Sequence, residues 1–358
     1  MEEMYIMKKF VSFLLALIMV ASLLTGCAQS ETKAPTSQTS ESTEQPPTAE
    51  VNFPEHDITG IVQWGAGGGT DSLMRPLATI AEKSLGKSIV IQNKTGGTGA
   101  IATQYVHDQK SDGYTLLMGA ENPQLYTMLE ISELTYADFK SVFIIGDEKV
   151  GVIVPKDSKY KTFTELINDA LANPGKISIA TTGKGGMPWS VSSFINAVTG
   201  AEFNQIPFDS DASALTAVLG GHADFTICKV QSGIESYKAG DINYLTLLSK
   251  EKVEVLPDVP LVTDEYPDFA NYLPWGPFYG IFVNKDTPDE IVSVLSEAFS
   301  TAFLDNQYQD LLQKFNISPL GLSGTAAQGY LSSWQKNTAD AFYKSGAIDK
   351  SPAELGIE

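Results

Sequence analysis

The apolar and polar positions divide the chain into three regions. Residues 10–24 form a nearly unbroken apolar run, and residues 28–53 are rich in Ser, Thr, Glu, Gln and Pro with almost no large apolar side chain. From residue 56 onward, short apolar runs alternate with segments whose apolar residues recur at helical spacing. The pattern predicts a folded region of about 300 residues, enough for one large or two medium domains.

Strands and helices alternate through this folded region. The pattern predicts strands at residues 58–64, 88–92, 114–118, 143–145, 150–154, 176–180, 202–207, 225–227, 244–248 and 278–283. It predicts helices at residues 71–85, 99–109, 163–172, 189–198, 212–219 and 288–304. Such alternation is typical of parallel α/β units. We expect two lobes joined by extended crossings, with residues 54–148 and 278–358 in lobe 1 and residues 149–277 in lobe 2.

The N-terminal apolar run has the features of an export signal. Lys8 and Lys9 precede it, and it is shorter than the roughly 20 apolar residues that span a bilayer. It ends in Leu24-Thr25-Gly26-Cys27, which resembles the lipobox of bacterial lipoproteins. We therefore expect a signal peptide at residues 1–26, a lipid on Cys27, and a disordered stalk at residues 27–53 that holds the protein on the outer face of the cytoplasmic membrane. The alternative is an ordinary signal peptide with an incidental cysteine.

Composition excludes several classes of function. The chain has 43 acidic and 24 basic residues, a net charge of −19, and this argues against nucleic acid as a partner. Apart from Cys27, Cys228 is the only cysteine, so an internal disulfide within the mature region is not possible. The three histidines are scattered along the sequence, which gives little support to a metal site or a His-dependent triad. We expect neither a metal nor a cofactor.

Two Gly-rich loops carry the candidate chemistry. Residues 65–71 (Gly-Ala-Gly-Gly-Gly-Thr-Asp) follow the first predicted strand, and residues 181–186 (Thr-Thr-Gly-Lys-Gly-Gly) occupy the matching place in the second half. Backbone N–H groups at a helix N-terminus bind anions. Neither loop has the Gly-Lys-Ser/Thr ending of a P-loop or a complete dinucleotide fingerprint. A single such loop is often just a tight connection, but two at matched positions favour a ligand held between them.

The order of short motifs resembles that of tripartite tricarboxylate transporter substrate-binding proteins. The motifs are Gly67-Gly68-Gly69-Thr70-Asp71, Asn93-Lys94-Thr95-Gly96-Gly97-Thr98-Gly99, Asp112-Gly113-Tyr114-Thr115-Leu116-Leu117, Leu171-Ala172-Asn173-Pro174-Gly175-Lys176, Leu219-Gly220-Gly221-His222-Ala223-Asp224 and Leu256-Pro257-Asp258-Val259-Pro260. The resemblance implies an α/β, two-lobed Venus-flytrap fold (periplasmic binding protein, type 2) with a ligand cleft between the lobes. It implies a solute receptor that is not an enzyme, and a permease as partner.

In that family the loop after the first strand of each lobe binds a ligand carboxylate. The resemblance therefore assigns ligand contacts to Gly68, Gly69, Thr70 and Asp71 in lobe 1 and to Thr182, Gly183 and Gly185 in lobe 2. Gly67, Thr181 and Lys184 of the same loops are further candidates. Two departures from the family pattern add candidates. Glu121 and Asn122 follow the third strand, where small hydroxyl residues are common, and Lys229 follows the Phe225 strand. Glu121 would repel a dicarboxylate and suits an amine, unless it is a solvated loop charge; Lys184 and Lys229 suit an anion, unless they are surface lysines.

We therefore expect a monomeric, lipid-anchored receptor that binds a small organic acid or amino acid and delivers it to transmembrane permease subunits. Two other classes stay open. A sensor that signals to a membrane kinase would use the same fold. An extracellular hydrolase would need an acid–base pair, for which Asp71 and Glu121 are the available residues.

Overall fold

The computed structural model describes residues 52–208 and 210–357. Cys27 and the predicted signal and stalk lie outside them. The strands are β1 (Ile58–Val62), β2 (Ile89–Asn93), β3 (Thr115–Ala120), β4 (Phe139–Glu148), β5 (Val150–Pro155), β6 (Ser178–Thr181), β7 (Asn204–Pro207), β8 (Phe225–Lys229), β9 (Ile242–Leu247), β10 (Phe278–Asn284) and β11 (Ile317–Leu322). They form two sheets, one of six strands in the order β11-β4-β10-β3-β1-β2 and one of five in the order β7-β6-β8-β5-β9.

Helices cover the sheets. They are α1 (Gly69–Leu85), α2 (Ala100–His107), α3 (Tyr126–Leu129), α4 (Phe163–Ala172), α5 (Met187–Thr199), α6 (Asp211–Leu219), α7 (Val230–Lys238), α8 (Val262–Glu265), α9 (Asp289–Phe303), α10 (Asn306–Lys314) and α11 (Gly324–Lys344). In α1 the buried apolar residues recur every three or four positions, which is the spacing of one helix face. Gly86 ends that helix with a φ of 67°, a conformation in which a side chain would be strained. Within the described residues, none of the helices combines the length and apolar character that crossing a bilayer requires.

The sheets are mixed rather than parallel, which corrects the expectation from strand–helix alternation. In the first sheet β1 pairs parallel with β2 and β3, whereas β10 pairs antiparallel with β3 and β4. In the second, β6 pairs parallel with β7 and β8, whereas β5 pairs antiparallel with β8 and β9. β5 and β10 are the first strands that the chain forms after each crossing from the other sheet, and β11, which is also antiparallel to β4, follows β10 through α9 and α10.

These directions bring the important strand ends to one edge of each sheet. β1, β3 and β4 run the same way, because β10 is antiparallel to both β3 and β4. Their carboxyl ends therefore share an edge of the first sheet. In the second sheet the carboxyl ends of β6, β7 and β8 share an edge with the start of β5. Lys149 alone separates β4 from β5, so the chain passes from one of these edges to the other in a single residue.

The return crossing and α11 reinforce this junction. A Cβ on Gly276 would lie 2.3 Å from the Glu148 carbonyl oxygen, so the two crossings touch through their backbones. Trp334 of α11 donates a hydrogen bond from Nε1 to the Gly276 carbonyl oxygen (2.9 Å). Further along α11, Phe342 packs edge-on against Trp189 of α5, with ring centroids 5.0 Å apart. One buried apolar cluster consequently includes residues of both sheets and of α11.

Candidate functional site

Each Gly-rich loop leads into a helix that begins without a side-chain cap. α1 begins at Gly69 after the N-cap Gly68, and α5 begins at Met187 after the N-cap Gly186; among the described residues no side chain caps either. The first turn of a helix has amide N–H groups that the helix itself cannot pair. Pro188 lies in the first turn of α5 and has no N–H. Both loops thus present backbone donors at the facing edges of the two sheets.

The threonines of the two loops have hydroxyls available to a ligand. Thr70 is 4% exposed and Thr181 is 1% exposed, while Thr182 is partly buried. Among the described residues, none of the three hydroxyls has a hydrogen-bond partner that belongs to the protein. A ligand carboxylate is an acceptor of the kind these hydroxyl and amide donors require.

Asp71 fixes the shape of the first loop. Its carboxylate accepts hydrogen bonds from the Gly67 amide (2.9 Å), from Arg75 Nε (3.0 Å) and from Asn93 Nδ2 (2.8 Å). Arg75 also forms an ion pair with it at 2.9 Å. Burial raises the pKa of Asp71, but the hydrogen bonds from Arg75, Gly67 and Asn93 outweigh burial and lower it. Asp71 is therefore a charged group that organises the loop, with its oxygens occupied by partners on its own side of the site.

The second loop lies close to residues on the first sheet's side of the site. Gly183 and Gly185 have φ values of 84° and 85°, which favour glycine. A Cβ on Gly185 would lie 2.6 Å from Leu129 Cδ1, at the end of α3. No atom of the described residues lies within 4 Å of a Cβ on Gly183. Lys184, between them, is exposed. Gly185 is therefore the residue at which this loop packs against the first sheet's side of the site.

A buried ion pair links the two edges. Lys229, at the end of β8, lies 2.8 Å from Glu148 Oε2 at the end of β4. The Tyr279 hydroxyl donates to the same oxygen (2.8 Å), and it lies 3.2 Å from the place of a Cβ on Gly69. The Glu148 side chain is only 3% exposed. Burial lowers the pKa of Lys229, but the negative charges around it raise the pKa well above its usual value. Lys229 is thus charged and paired within the protein.

Two further carboxyl groups lie around Lys229. Glu121 follows β3 on the first edge, and Asp211 begins α6 on the second edge. Burial raises the pKa of Glu121 to about 7 and also raises the pKa of Asp211; in both cases the Lys229 charge acts in the opposite direction. Asn122, next to Glu121, is 6% exposed, and no residue that the structure describes forms a hydrogen bond with its Oδ1. Among the described residues, no three His, Cys, Asp or Glu residues are arranged to hold a metal ion.

The structure therefore brings most of the residues predicted from sequence to the two facing edges. Sequence reasoning missed Glu148, Tyr279 and Asp211. Glu148 had a visible signal, because it lies in the acidic and basic run Asp147-Glu148-Lys149 between two predicted strands. Tyr279 and Asp211 had none, since each is an ordinary strand or helix-start residue until the sheets are assembled. Cys228 is 3% exposed within an apolar cluster, and burial raises the pKa of its thiol to about 12.

Comparisons with known proteins agree on one family. A family model described as "Tripartite tricarboxylate transporter family receptor" matches residues 73–348. Protein BugT of Bordetella pertussis is 25% identical over 306 residues, which cover 84% of this chain and 93% of that protein. The solved structure of a ligand-free TctC solute-binding protein from Polaromonas has a TM-score of 0.69 at 25% identity and covers 83% of this chain and 99% of that one. The structure of R. palustris Rpa4515 with adipate has a TM-score of 0.71 at 22% identity and covers 82% and 99%.

Proposed function

The chain belongs to the tripartite tricarboxylate transporter receptor family, and from that premise we propose that it holds the carboxylate of a small organic ligand between the loops at residues 65–71 and 181–186. Receptors of this family are extracytoplasmic, bind small carboxylate ligands and act with the membrane components of a tripartite transporter; they are not enzymes. The chain has the two-lobed periplasmic binding protein fold of these receptors.

The observation that supports this site most directly is the pair of uncapped helix N-termini, with unpartnered threonine hydroxyls beside them. The first amides of α1 and the hydroxyls of Thr70 and Thr182 are donors for which the described residues supply no acceptor. A carboxylate placed between them supplies acceptor oxygens to both edges at once, and so stabilises the arrangement in which the edges are close. Adipate in Rpa4515 is a ligand of this chemical class.

We further propose that lobe 1 comprises residues 54–148 and 278–358 and lobe 2 comprises residues 149–277, with α11 packing against both. The mature chain would be a monomer tethered through a lipid on Cys27 to the outer face of the cytoplasmic membrane. Replacing Cys27 with Ser tests the tether, because the protein should then leave the membrane fraction for the soluble extracytoplasmic fraction. Retention of the variant in the membrane fraction would exclude Cys27 as the anchor.

A thermal-shift and calorimetry screen with succinate, glutarate, adipate and 3-phenylpropionate tests the carboxylate site. Tight binding raises the melting temperature through mass action. We expect the double variant Thr70→Ala plus Thr182→Ala to weaken binding of the tightest-binding acid by a few kcal/mol, since each lost buried hydrogen bond costs about 1–3 kcal/mol. The double variant Thr79→Ala plus Thr216→Ala removes two exposed helix hydroxyls and should leave affinity unchanged. If both double variants bind the acid equally tightly, the assignment of Thr70 and Thr182 to the carboxylate site is wrong.

A further inference from the structure

The charges around Lys229 do not balance within the described residues. One of three nearby carboxyl groups, that of Glu148, contacts the Lys229 ammonium group, and those of Glu121 and Asp211 lie within its electrostatic reach. The Lys229 ammonium is paired with Glu148 at 2.8 Å, so that pair is already neutral. Lys184 is exposed and Arg75 is paired with Asp71. Within residues 52–208 and 210–357, Glu121 and Asp211 are therefore left without a cation in contact with them.

Unpartnered acceptors lie in the same place. Among the described residues, the Glu121 carboxyl accepts a hydrogen bond only from its own backbone amide, and no side chain donates to it. The Oδ1 atom of Asn122, which is 6% exposed, receives no hydrogen bond from any residue in the described part of the chain. A buried acceptor without a donor is costly, at about 1–3 kcal/mol, so a ligand that brings donors gains from pairing with it. A carboxylate brings none, because an ionised carboxyl group only accepts.

An ammonium group meets both needs, since it carries one positive charge and three N–H donors. A metal ion would also supply charge, but the three carboxyl groups do not come together as a ligand set. The two kinds of site also differ in chemistry, as the two charged groups of an amino acid do. Donors lie at the two Gly-rich loops, while the free acceptors lie at the end of β3, on the same edge of the first sheet.

On the basis of the proposed carboxylate site, we infer that the ligand carries a protonated amino group as well as a carboxylate, and that Glu121 with Asn122 selects that amino group. The loops hold the carboxylate, and Glu121 forms a charge-assisted hydrogen bond with the ammonium group. Lys229 is not a ligand contact in this arrangement; it holds Glu148 and keeps the second edge in place.

Matched pairs of ligands that differ only by the amino group test this inference. The pairs are aspartate with succinate, glutamate with glutarate, 2-aminoadipate with adipate, and phenylalanine with 3-phenylpropionate. We expect at least one amino acid to bind wild-type protein ten-fold or more tightly than its partner acid, as measured by calorimetry at pH 8. Glu121→Gln should weaken binding of that amino acid at least ten-fold, while the partner acid binds with the same or higher affinity. Glu133→Gln, which removes an exposed carboxylate, should change neither affinity.

The outcomes separate the two proposals. Acids that bind as tightly as their amino partners, or a Glu121→Gln variant that keeps the wild-type preference, contradict the amino-group inference while the carboxylate site stands. Binding of neither member of any pair contradicts the carboxylate site itself, and the inference falls with it. The preference of wild-type protein is measured without any variant, so the test survives a Glu121→Gln chain that folds poorly.

Discussion

Lys229 Nζ lies 2.8 Å from Glu148 Oε2, and this ion pair joins the end of β8 in the second sheet to the end of β4 in the first. Tyr279 donates a second hydrogen bond to the same oxygen, from the adjacent strand of the first sheet. Glu148 is followed by Lys149 and then by β5, so the ion pair lies directly beside the point where the chain crosses between the sheets. It is a structural contact at the edge that also carries the candidate site.

Removing one partner of this pair should destabilise the protein strongly. Glu148→Gln leaves the Lys229 charge largely buried without its carboxylate, and breaking a buried pair in this way costs about 3–5 kcal/mol. The double variant Glu148→Gln plus Lys229→Met removes both charges and should recover more than half of the loss. Urea unfolding at neutral pH measures both, since the midpoint reports stability when the slope is unchanged.

The exposed pair Lys238–Glu235 is the control for that measurement. Glu235→Gln breaks an ion pair of the same chemistry, but exposed pairs contribute only about 0–1 kcal/mol. A Glu148→Gln variant no less stable than Glu235→Gln would show that the buried pair has no structural role.

Gly185 should control how closely the second loop approaches Leu129. Gly185→Ala and Gly183→Ala both place a Cβ on a residue with positive φ, so each should lose about 1–2 kcal/mol of stability. Only at residue 185 does the new Cβ meet Leu129 Cδ1, at 2.6 Å. We therefore expect Gly185→Ala to weaken the tightest-binding acid about ten-fold more than Gly183→Ala does, in a calorimetric titration.

Leu129→Ala provides the corresponding rescue. It removes the side chain that the new Cβ would meet, so adding it to Gly185→Ala should restore affinity to the level of Gly183→Ala. Equal affinities in the two single variants would mean that this contact has no part in ligand binding.

Local sequence predicted the elements well because their signals are local. The helix predicted at 163–172 is observed as Phe163–Ala172, where Thr162 accepts a hydrogen bond from the Glu165 amide as an N-cap. The Gly-rich loops were recognisable because their conformation demands glycine. Long-range relations were not recognisable. The antiparallel pairing of β10 with β3 and β4 depends on the crossings between sheets, and α11 has too few local signals to reveal its contact with α5.

The residues of the candidate site also fall into two groups, those that the sequence indicates and those that only the three-dimensional structure identifies. Thr70 and Thr182 lie in the two Gly-rich loops, and Glu121 lies where this chain departs from the family pattern, so comparison with the family could nominate all three. Asp71 was nominated as a ligand contact, but its bonds to Gly67, Arg75 and Asn93 make it a support of the loop, and only three-dimensional structure brings Asn93 to it. The importance of Glu148 depends on a partner 81 positions away in the chain, Lys229, which no local pattern indicates.

The stability of the ligand-free protein should depend on pH through Glu121. Burial raises the pKa of this carboxyl from 4.5 to about 7, with Lys229 lowering it and Glu148 and Asp211 raising it. Buried tyrosines also lie within electrostatic reach, and burial raises the pKa of each, so they stay neutral in this range: Tyr126, Tyr136, Tyr279 and Tyr330. Between pH 4.5 and 7 the folded state therefore holds a proton that the unfolded state has lost.

The sign of the effect follows from that difference. The contribution of Glu121 to the free energy of unfolding is fully present below pH 4.5 and is lost as pH rises through about 7. The raised pKa of Asp211 acts in the same direction. At 1.36 kcal/mol per pKa unit, Glu121 accounts for up to about 3 kcal/mol of the free energy of unfolding.

Urea unfolding between about pH 5 and 8 tests this contribution. Because Glu121→Gln cannot ionise, its free energy of unfolding should change less with pH than that of wild type, while Glu133→Gln keeps the wild-type slope. Parallel profiles for wild type and Glu121→Gln would mean that Glu121 ionises normally in the folded protein, and an amino-bearing ligand would then gain no advantage from a rise in pH through 7.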